Sequence, residues 1–578
     1  MDEYWTNLHD SLNDNDTENV KRLLNSHEKN NANLKDIQII KILLKQKDSQ
    51  IIYLTTESIA EWAKIENNRN ILTEKETLEL LLELLNSKEN TLNVVRALGN
   101  ICYENENAAK LLSLEKILTL FYESTDITLL TKISGLLLNI FISNQDLQSF
   151  DKNKLLGHIS SNLNDNSGLS VDETCLYSYL LQINSNIPEL ELICLQILYN
   201  ASERDEVRKL LAESNVCERI IELIEKYKQL IDDEESRSIL KMACDLINNI
   251  LIEDESMKLL YDQGKGKVYL NCIKWLECDD NELLGTAIMA VGNFARNDEN
   301  CTAIVKEGIS KKLIGLLNKY TIENPDIKLL HGLLSTLKNL VVPSKNKSII
   351  LEEGLIQTVQ PILEIDQDIV IFKLLGTLRL VIDGQEKAAK DLISQKKLLE
   401  KLVQIFDNTY HLGVKREVSR FLAWLIKSCH SWDSMRNILQ VERTIDCLVS
   451  MFSSEDYIME NEALISLNLL SAATIHANDI TGIKESSSND KILKVMFEEQ
   501  LIKLQIAVVL PYVRIFSHNN KIAENLISLL EKFLQSLILL DHFREKNVWK
   551  ILTEVSDNIT EADLLDRSRK IISILSEK

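Results

Sequence analysis

A short element centred on one asparagine, AVGNFA at residues 290–295, recurs in altered form along the chain. Residues 97–102 read ALGNIC, 136–140 LLLNI, 197–201 ILYNA, 246–250 LINNI, 336–340 TLKNL and 466–469 SLNL. Two copies, TLRLVI at 377–382 and FLAWLI at 421–426, have lost the asparagine. The asparagine or its replacement falls at 100, 139, 200, 249, 293, 339, 380, 424 and 468. A recurrence of about 42 residues, with two insertions, is the mark of a helical repeat array.

One repeat gives the architecture. Residues 300–307 read as a short helix ended by Gly308, which can take the left-handed conformation. Residues 309–317 form a second helix, 320–326 a polar loop containing Pro325, and 327–342 a long third helix closed by Pro343. The next unit repeats the pattern at 345–353, Gly354, 355–363 and 369–382. Three helices per period, with glycine between the first two, is the armadillo arrangement; two-helix HEAT units are the near alternative. The expected fold is all-α: an armadillo-repeat, right-handed superhelical solenoid of roughly ten units. Only 16 glycines and 5 prolines in 578 residues agree, since sheets joined by tight turns need more of both. A chain this long exceeds one hydrophobic core, but each repeat packs only on its neighbours.

Residues 1–48 are polar and read as an N-terminal helical cap that hides the open end of the array. Repeats fill 49–475, beginning with an H3-like helix at 51–63. A Ser/Asn/Asp-rich insertion at 476–490 is expected to be flexible, and 491–578 hold further armadillo-like helices and a cap. The polar stretch 162–173 accounts for much of the other insertion.

The net charge of −22 disfavours nucleic acid or an anionic membrane as a direct partner and favours a basic one. Ten scattered cysteines without a C-x-x-C read as reduced core residues of an intracellular, cytoplasmic protein, with nuclear access left open. No secretion signal and no run of 18 apolar residues occurs, so no membrane insertion is expected.

No motif for catalysis, cofactor or metal stands out: there is no H-E-x-x-H, no close histidine pair and no G-x-S-x-G. GKGK at 264–267 lacks the phosphate-loop spacing and reads as a turn between helices. The chain is therefore expected to bind and not to catalyse. In an armadillo array the third helices line the concave face. An asparagine there can bond a neighbouring helix or offer its amide to a bound chain. Carboxylates gather beside two of these asparagines. Asp245 and Glu253 stand four residues either side of Asn249 and are expected on its face, with Asp254 and Glu255 following. Glu203, Asp205 and Glu206 follow Asn200. The seven carboxylates fit a docking edge for a Lys/Arg-rich segment; a solvated helix end is the alternative.

Several blocks go beyond the repeat consensus. RALGNICY at 96–103, DESMKLL at 254–260 with GKGKV at 264–268, VGNFARNDENC at 291–301, FKLLGTLRLVID at 372–383 and IMENEALISL at 458–467 resemble the small G-protein GDP dissociation stimulators, in that family's order. The resemblance implies a regulator of Rho-, Rac-, Rap- or Ras-type small GTPases with polybasic, prenylated tails. It would promote GDP release and chaperone the GTPase without catalytic residues. It implies that the acidic edge receives the tail, and that the concave positions Asn200, Asn249, Asn293, Arg296, Asn297 and Asn339 meet the GTPase. A prenyl group would enter between apolar helices within residues 190–260. The family's asparagine in the EVSR segment is Ser419 here. A generic armadillo scaffold for basic or extended peptides is the competing reading. An import receptor is disfavoured, because none of the six tryptophans has asparagine four residues later.

Overall fold

The computed structural model describes residues 2–26, 34, 37–143, 185–214, 216–230, 233–320, 325–429, 431–474, 488–510, 520–556, 559 and 561–577. Among these every regular element is helical. They divide into two compact units, Met1–Asn271 and Cys272–Lys578. The stretch 162–173 and most of the 476–490 insertion lie outside the described residues; Ser488 opens the helix Ser488–Lys503.

In the first unit, helices Asp2–Asn13, Thr17–Leu24 and Ile37–Leu44 form the N-terminal part, and Trp5 packs against Trp62 with ring centroids 5.1 Å apart. Third helices then stack in succession: Ser49–Trp62 on Thr91–Cys102, that on Ile127–Ser143, then Pro188–Ala201 and Glu234–Ile250. Burial of one apolar stripe per helix drives the stacking. Ile239, Leu240, Ala243, Leu246, Ile247 and Ile250, at helical spacing, are fully buried. The long step between Asn139 and Asn200 leaves this stacking intact, because Ile127–Ser143 packs directly on Pro188–Ala201.

The second unit repeats the arrangement with third helices Asn281–Phe294, Ile327–Leu340, Asp368–Ile382, Leu412–Ser428, Tyr457–Thr474 and Asn520–Phe533. Gly308 (φ +79°) and Gly354 (φ +91°) make the expected left-handed turns between first and second helices. Arg443, Gln505 and Asn547 occupy the corresponding turns with positive φ, where a side chain is disfavoured. Asn300 donates to the Phe294 carbonyl at 3.1 Å and Asn346 to that of Leu340 at 2.8 Å. Each ties its first helix to the end of the third helix before it, satisfying a carbonyl the helix leaves open. In the first unit Asn68 does the same to Trp62, at 3.1 Å.

Cys102, Cys194, Cys217, Cys244, Cys272, Cys301, Cys429 and Cys447 carry buried thiols. Burial pushes those of Cys102 and Cys194 up to about 12.

Candidate binding site

The repeated asparagines staple neighbouring third helices. In the first unit Asn100 Nδ2 donates to the Ala60 carbonyl at 2.8 Å, and Asn139 Nδ2 to the Gly99 carbonyl at 3.0 Å. Asn249 Nδ2 reaches the Ser202 hydroxyl at 2.6 Å and its carbonyl at 3.3 Å. In the second unit Asn339 Nδ2 donates to the Gly292 carbonyl at 3.0 Å. The glycine before the asparagine has a steric reason at this site. A Cβ on Gly292 would lie 2.8 Å from Thr336 Oγ1, so only a bare α-carbon lets the two helices approach. Asn468 is turned the other way. Its Nδ2 donates forward to the Asn525 carbonyl at 2.7 Å, and its Oδ1 accepts from Lys532 Nζ at 2.8 Å. Each staple contributes about 1 kcal/mol and leaves part of the amide unused. Asn200 and Asn293 are half-exposed and form no side-chain hydrogen bond among the described residues.

The acidic residues of the first unit fall into two sets. Asp205 and Glu206 occupy the first turn of the helix Asp205–Glu213, with Glu203 just before it; all three are exposed. Carboxylates there suit the positive end of the helix dipole. Arg208 connects them to the asparagine row: it pairs with Asp205 at 2.6 Å and donates to Asn249 Oδ1 at 3.4 Å. Asp254 and Glu255 likewise open the helix Asp254–Tyr261, which packs on Asp205–Glu213. Glu255 pairs with Lys258 at 2.7 Å. Asp245 shares the half-exposed face of Asn249 as expected.

Glu253 does not. The helix stops at Ile250, so an offset of four no longer returns to the same face. Glu253 caps the next helix, accepting from the amides of Glu255 (2.9 Å) and Ser256 (2.6 Å) and from the Ser256 hydroxyl (2.6 Å). Burial raises its carboxyl pKa, but these bonds and Lys209 bring it below the ordinary carboxylate range. Asn297, which the resemblance placed among the concave positions, also lies past the end of its third helix. It caps Asp298–Lys306 through the amides of Glu299 (2.8 Å) and Asn300 (3.3 Å). The position four residues past the asparagine is the cap of the following repeat at Arg204, Glu253, Asn297 and Pro343 alike. Arg296, just ahead of that cap, is exposed. Ser419 is buried, bonding the Lys415 carbonyl at 3.1 Å, and presents nothing to a partner.

Where a prenyl slot was expected, Leu195, Leu198, Leu246 and Ile247 are fully buried and their helices pack directly. An open hollow of 910 Å³ does lie in this part of the chain, but Lys209, Glu213, Glu218, Lys258, Asp262 and Lys265 are among its walls. Such a wall suits water and ions better than a lipid chain. GKGK is a turn: a 3-10 segment Asp262–Gly264 leads into the helix Lys267–Trp275, and a Cβ on Gly266 would sit 1.9 Å from the Leu260 carbonyl oxygen.

The two repeats without asparagine are held by charge. Arg379 Nε and Nη2 grip Glu417 at 3.0 and 3.4 Å, with both side chains only 8% exposed. Arg420 holds Glu462 with two bonds of 2.8 Å, and Trp424 Nε1 donates to Glu462 at 2.9 Å. The Trp424 ring lies under Arg379 and Lys427, at 5.6 and 4.3 Å. Sequence reasoning passed over these residues. The available signal was charge inside otherwise apolar third helices, at Lys373, Arg379, Glu417 and Arg420.

No family model matches the chain. It is 32% identical over 590 aligned positions to the GTPase-GDP dissociation stimulator Vimar of Drosophila melanogaster, covering 89% of this chain and 91% of that protein. The chain belongs to the GTPase-GDP dissociation stimulator family. A second relative, Rap1 GTPase-GDP dissociation stimulator 1-A of Xenopus laevis, is 32% identical over 462 positions, covering 72% of this chain and 75% of its own. Among solved structures, a chain from a study of the cadherin–β-catenin interaction superimposes with a TM-score of 0.53 at 13% identity, over 93% of this chain and all of that one. That likeness bears on fold alone and agrees with an all-α armadillo array. Among the described residues no group of acidic, histidine and cysteine side chains could hold a metal. No described helix is long and apolar enough to cross a membrane.

Proposed function

We propose that this chain accelerates GDP release from a Rap- or Rho-type small GTPase with a polybasic tail, and chaperones that GTPase before membrane delivery. The observation that carries the reading is 32% identity across 91% of a relative named for GDP dissociation from a GTPase. Exposed Glu203, Asp205, Glu206, Asp254 and Glu255, with Asp245 beside Asn249, would take the basic tail. Exposed charges of this kind steer encounter more than they add affinity. The G domain would meet the concave amides of Asn200, Asn249, Asn293 and Asn339, with Arg296 close by. Exchange needs no acid or base: a regulator that prefers the nucleotide-free GTPase lowers nucleotide affinity by the same coupling energy.

The test is release of a fluorescent GDP analogue from loaded Rap1 and RhoA. The chain should speed release at least tenfold. Glu203→Lys with Glu206→Lys should slow association severalfold at low salt and leave it nearly unchanged at high salt. Release at the intrinsic rate from every tailed GTPase tried would overturn the reading. Glu253 is left intact, because its loss would uncap a helix at about 1 kcal/mol.

A further inference from the structure

The helix Ser488–Lys503 of the second unit is apolar on two opposite faces. Leu493, Phe497 and Leu501 are buried on the inner face, and the helix packs there on Trp432–Leu439, Thr444–Ser450 and Tyr457–Thr474. Ile492 (57% exposed), Val495 and Met496, at helical spacing, stand exposed on the outer face. The next first helix, Leu537–Glu545, packs on this one and adds exposed Leu537 (78%) and Ile538. A first helix elsewhere in the unit turns charge outward: on Glu386–Ile393 the exposed residues are Glu386, Lys387 and Asp391. A helix apolar all round suits a place covered from both sides. Single exposed apolar residues are ordinary, but several on two packed helices mark an interaction surface.

The charges on the outer face select the occupant. Lys491 and Glu499 are exposed and lie four residues before and after Val495, on its side of the helix. A two-fold axis through Val495 sets a second copy of the helix antiparallel to the first. Lys491 of each copy then stands opposite Glu499 of the other, and the apolar residues of both close over one another. A parallel two-fold pairing would instead set Lys491 against Lys491 and Glu499 against Glu499, like charge on like. The other charges nearby leave this pattern intact. Lys494 is half-buried and pairs with Glu498 at 3.8 Å. Lys503 ends the helix, and Asp541 and Glu545 are exposed on its neighbour, so the rim carries both signs. A patch complementary to itself is what a two-fold dimer requires.

We propose that the chain dimerises through this face, with Ser488–Lys503 of one copy packed antiparallel on Ser488–Lys503 of the other and Leu537 and Ile538 along the flank. The pairing uses first helices and leaves the third helices of the unit open to another protein.

The test is sedimentation velocity of the full chain across a wide range of concentration. Wild type should pass from monomer to dimer as concentration rises. Val495→Gln with Met496→Gln, which removes apolar contact from both copies at once, should raise the dimer Kd at least tenfold. Lys491→Glu and Glu499→Lys should each raise it about threefold or more. The two charge changes together should restore wild-type association, because the exchanged charges meet again. All four positions are exposed, so helicity by circular dichroism should match wild type in every variant. A wild type that stays monomeric throughout refutes the dimer. A dimer that the glutamine variant forms as readily as wild type places the contact elsewhere and also refutes it. Charge variants without effect, or a double charge variant no better than the singles, refute the antiparallel pairing. A monomeric chain whose affinity for Rap1 falls in the glutamine variant gives the face to that partner instead.

Discussion

Arg379 and Glu417 give the sharpest test of how the second unit is held together. Both are 8% exposed, and their two bonds of 3.0 and 3.4 Å join the helices Asp368–Ile382 and Leu412–Ser428. Replacing Arg379 by methionine keeps the volume and leaves a buried carboxylate. Removing one member of a buried pair costs about 3–5 kcal/mol. Arg420, 3.7 Å from Glu417, can answer part of the charge, so about 3 kcal/mol is expected. Arg379→Met with Glu417→Leu removes both charges together and should lie within about 1 kcal/mol of wild type. Repeat arrays open locally, so hydrogen exchange of these two helices is the appropriate measure. The single substitution should speed exchange there on the order of a hundredfold, with little change in the first unit, and the double should restore it. A single-variant effect below about 1 kcal/mol, or a double variant equal to the sum of the singles, would refute the reasoning.

In the first unit, Lys41 and Lys45 hold Glu76 at 2.8 and 2.7 Å and draw its carboxyl down to about 2. A depressed carboxyl stabilises above its unfolded value near 4.5 and loses that contribution as pH falls toward 2. Acid titration of tryptophan fluorescence from the Trp5–Trp62 contact should show loosening between those values, and Glu76→Gln should reduce the step, the rest coming from Asp48 and Glu61, which are also held low. Gly266→Ala, whose new methyl meets backbone at 1.9 Å, should lower stability by about 1–3 kcal/mol in a thermal melt, although the residue is half-exposed. A neutral result would show that the turn can shift.

The helices were legible because two signals coincided: apolar spacing along each third helix, and glycine at 308 and 354 where the chain must turn left-handed. Ile309–Leu317 falls where the pattern placed it. The candidate site was harder. Glu253 was assigned by counting four residues from Asn249, a count that holds only while the helix continues, and Asn297 was placed among the concave positions by resemblance. Each lies past the helix end, where the chain caps the next repeat. Arg379 with Glu417, and Arg420 with Glu462, are pairs separated by about 40 positions. Their register depends on how two repeats dock, which no local pattern contains. The asparagine row was visible, but the direction of its bonds was not: a hydrogen-bonded staple and a ligand-facing amide have the same letter.

The staples are made from a residue that ages. Deamidation turns an asparagine donor into a carboxylate that can only accept. At Asn339 the new oxygen would face the Gly292 carbonyl, replacing an attraction of 3.0 Å with a repulsion. Asn100 and Asn139 would do the same to Ala60 and Gly99. The Arg379–Glu417 and Arg420–Glu462 junctions have no amide to lose. An old or heat-treated sample should therefore come apart first at its amide-stapled junctions, one repeat at a time, with the arginine-held junctions among the last to go.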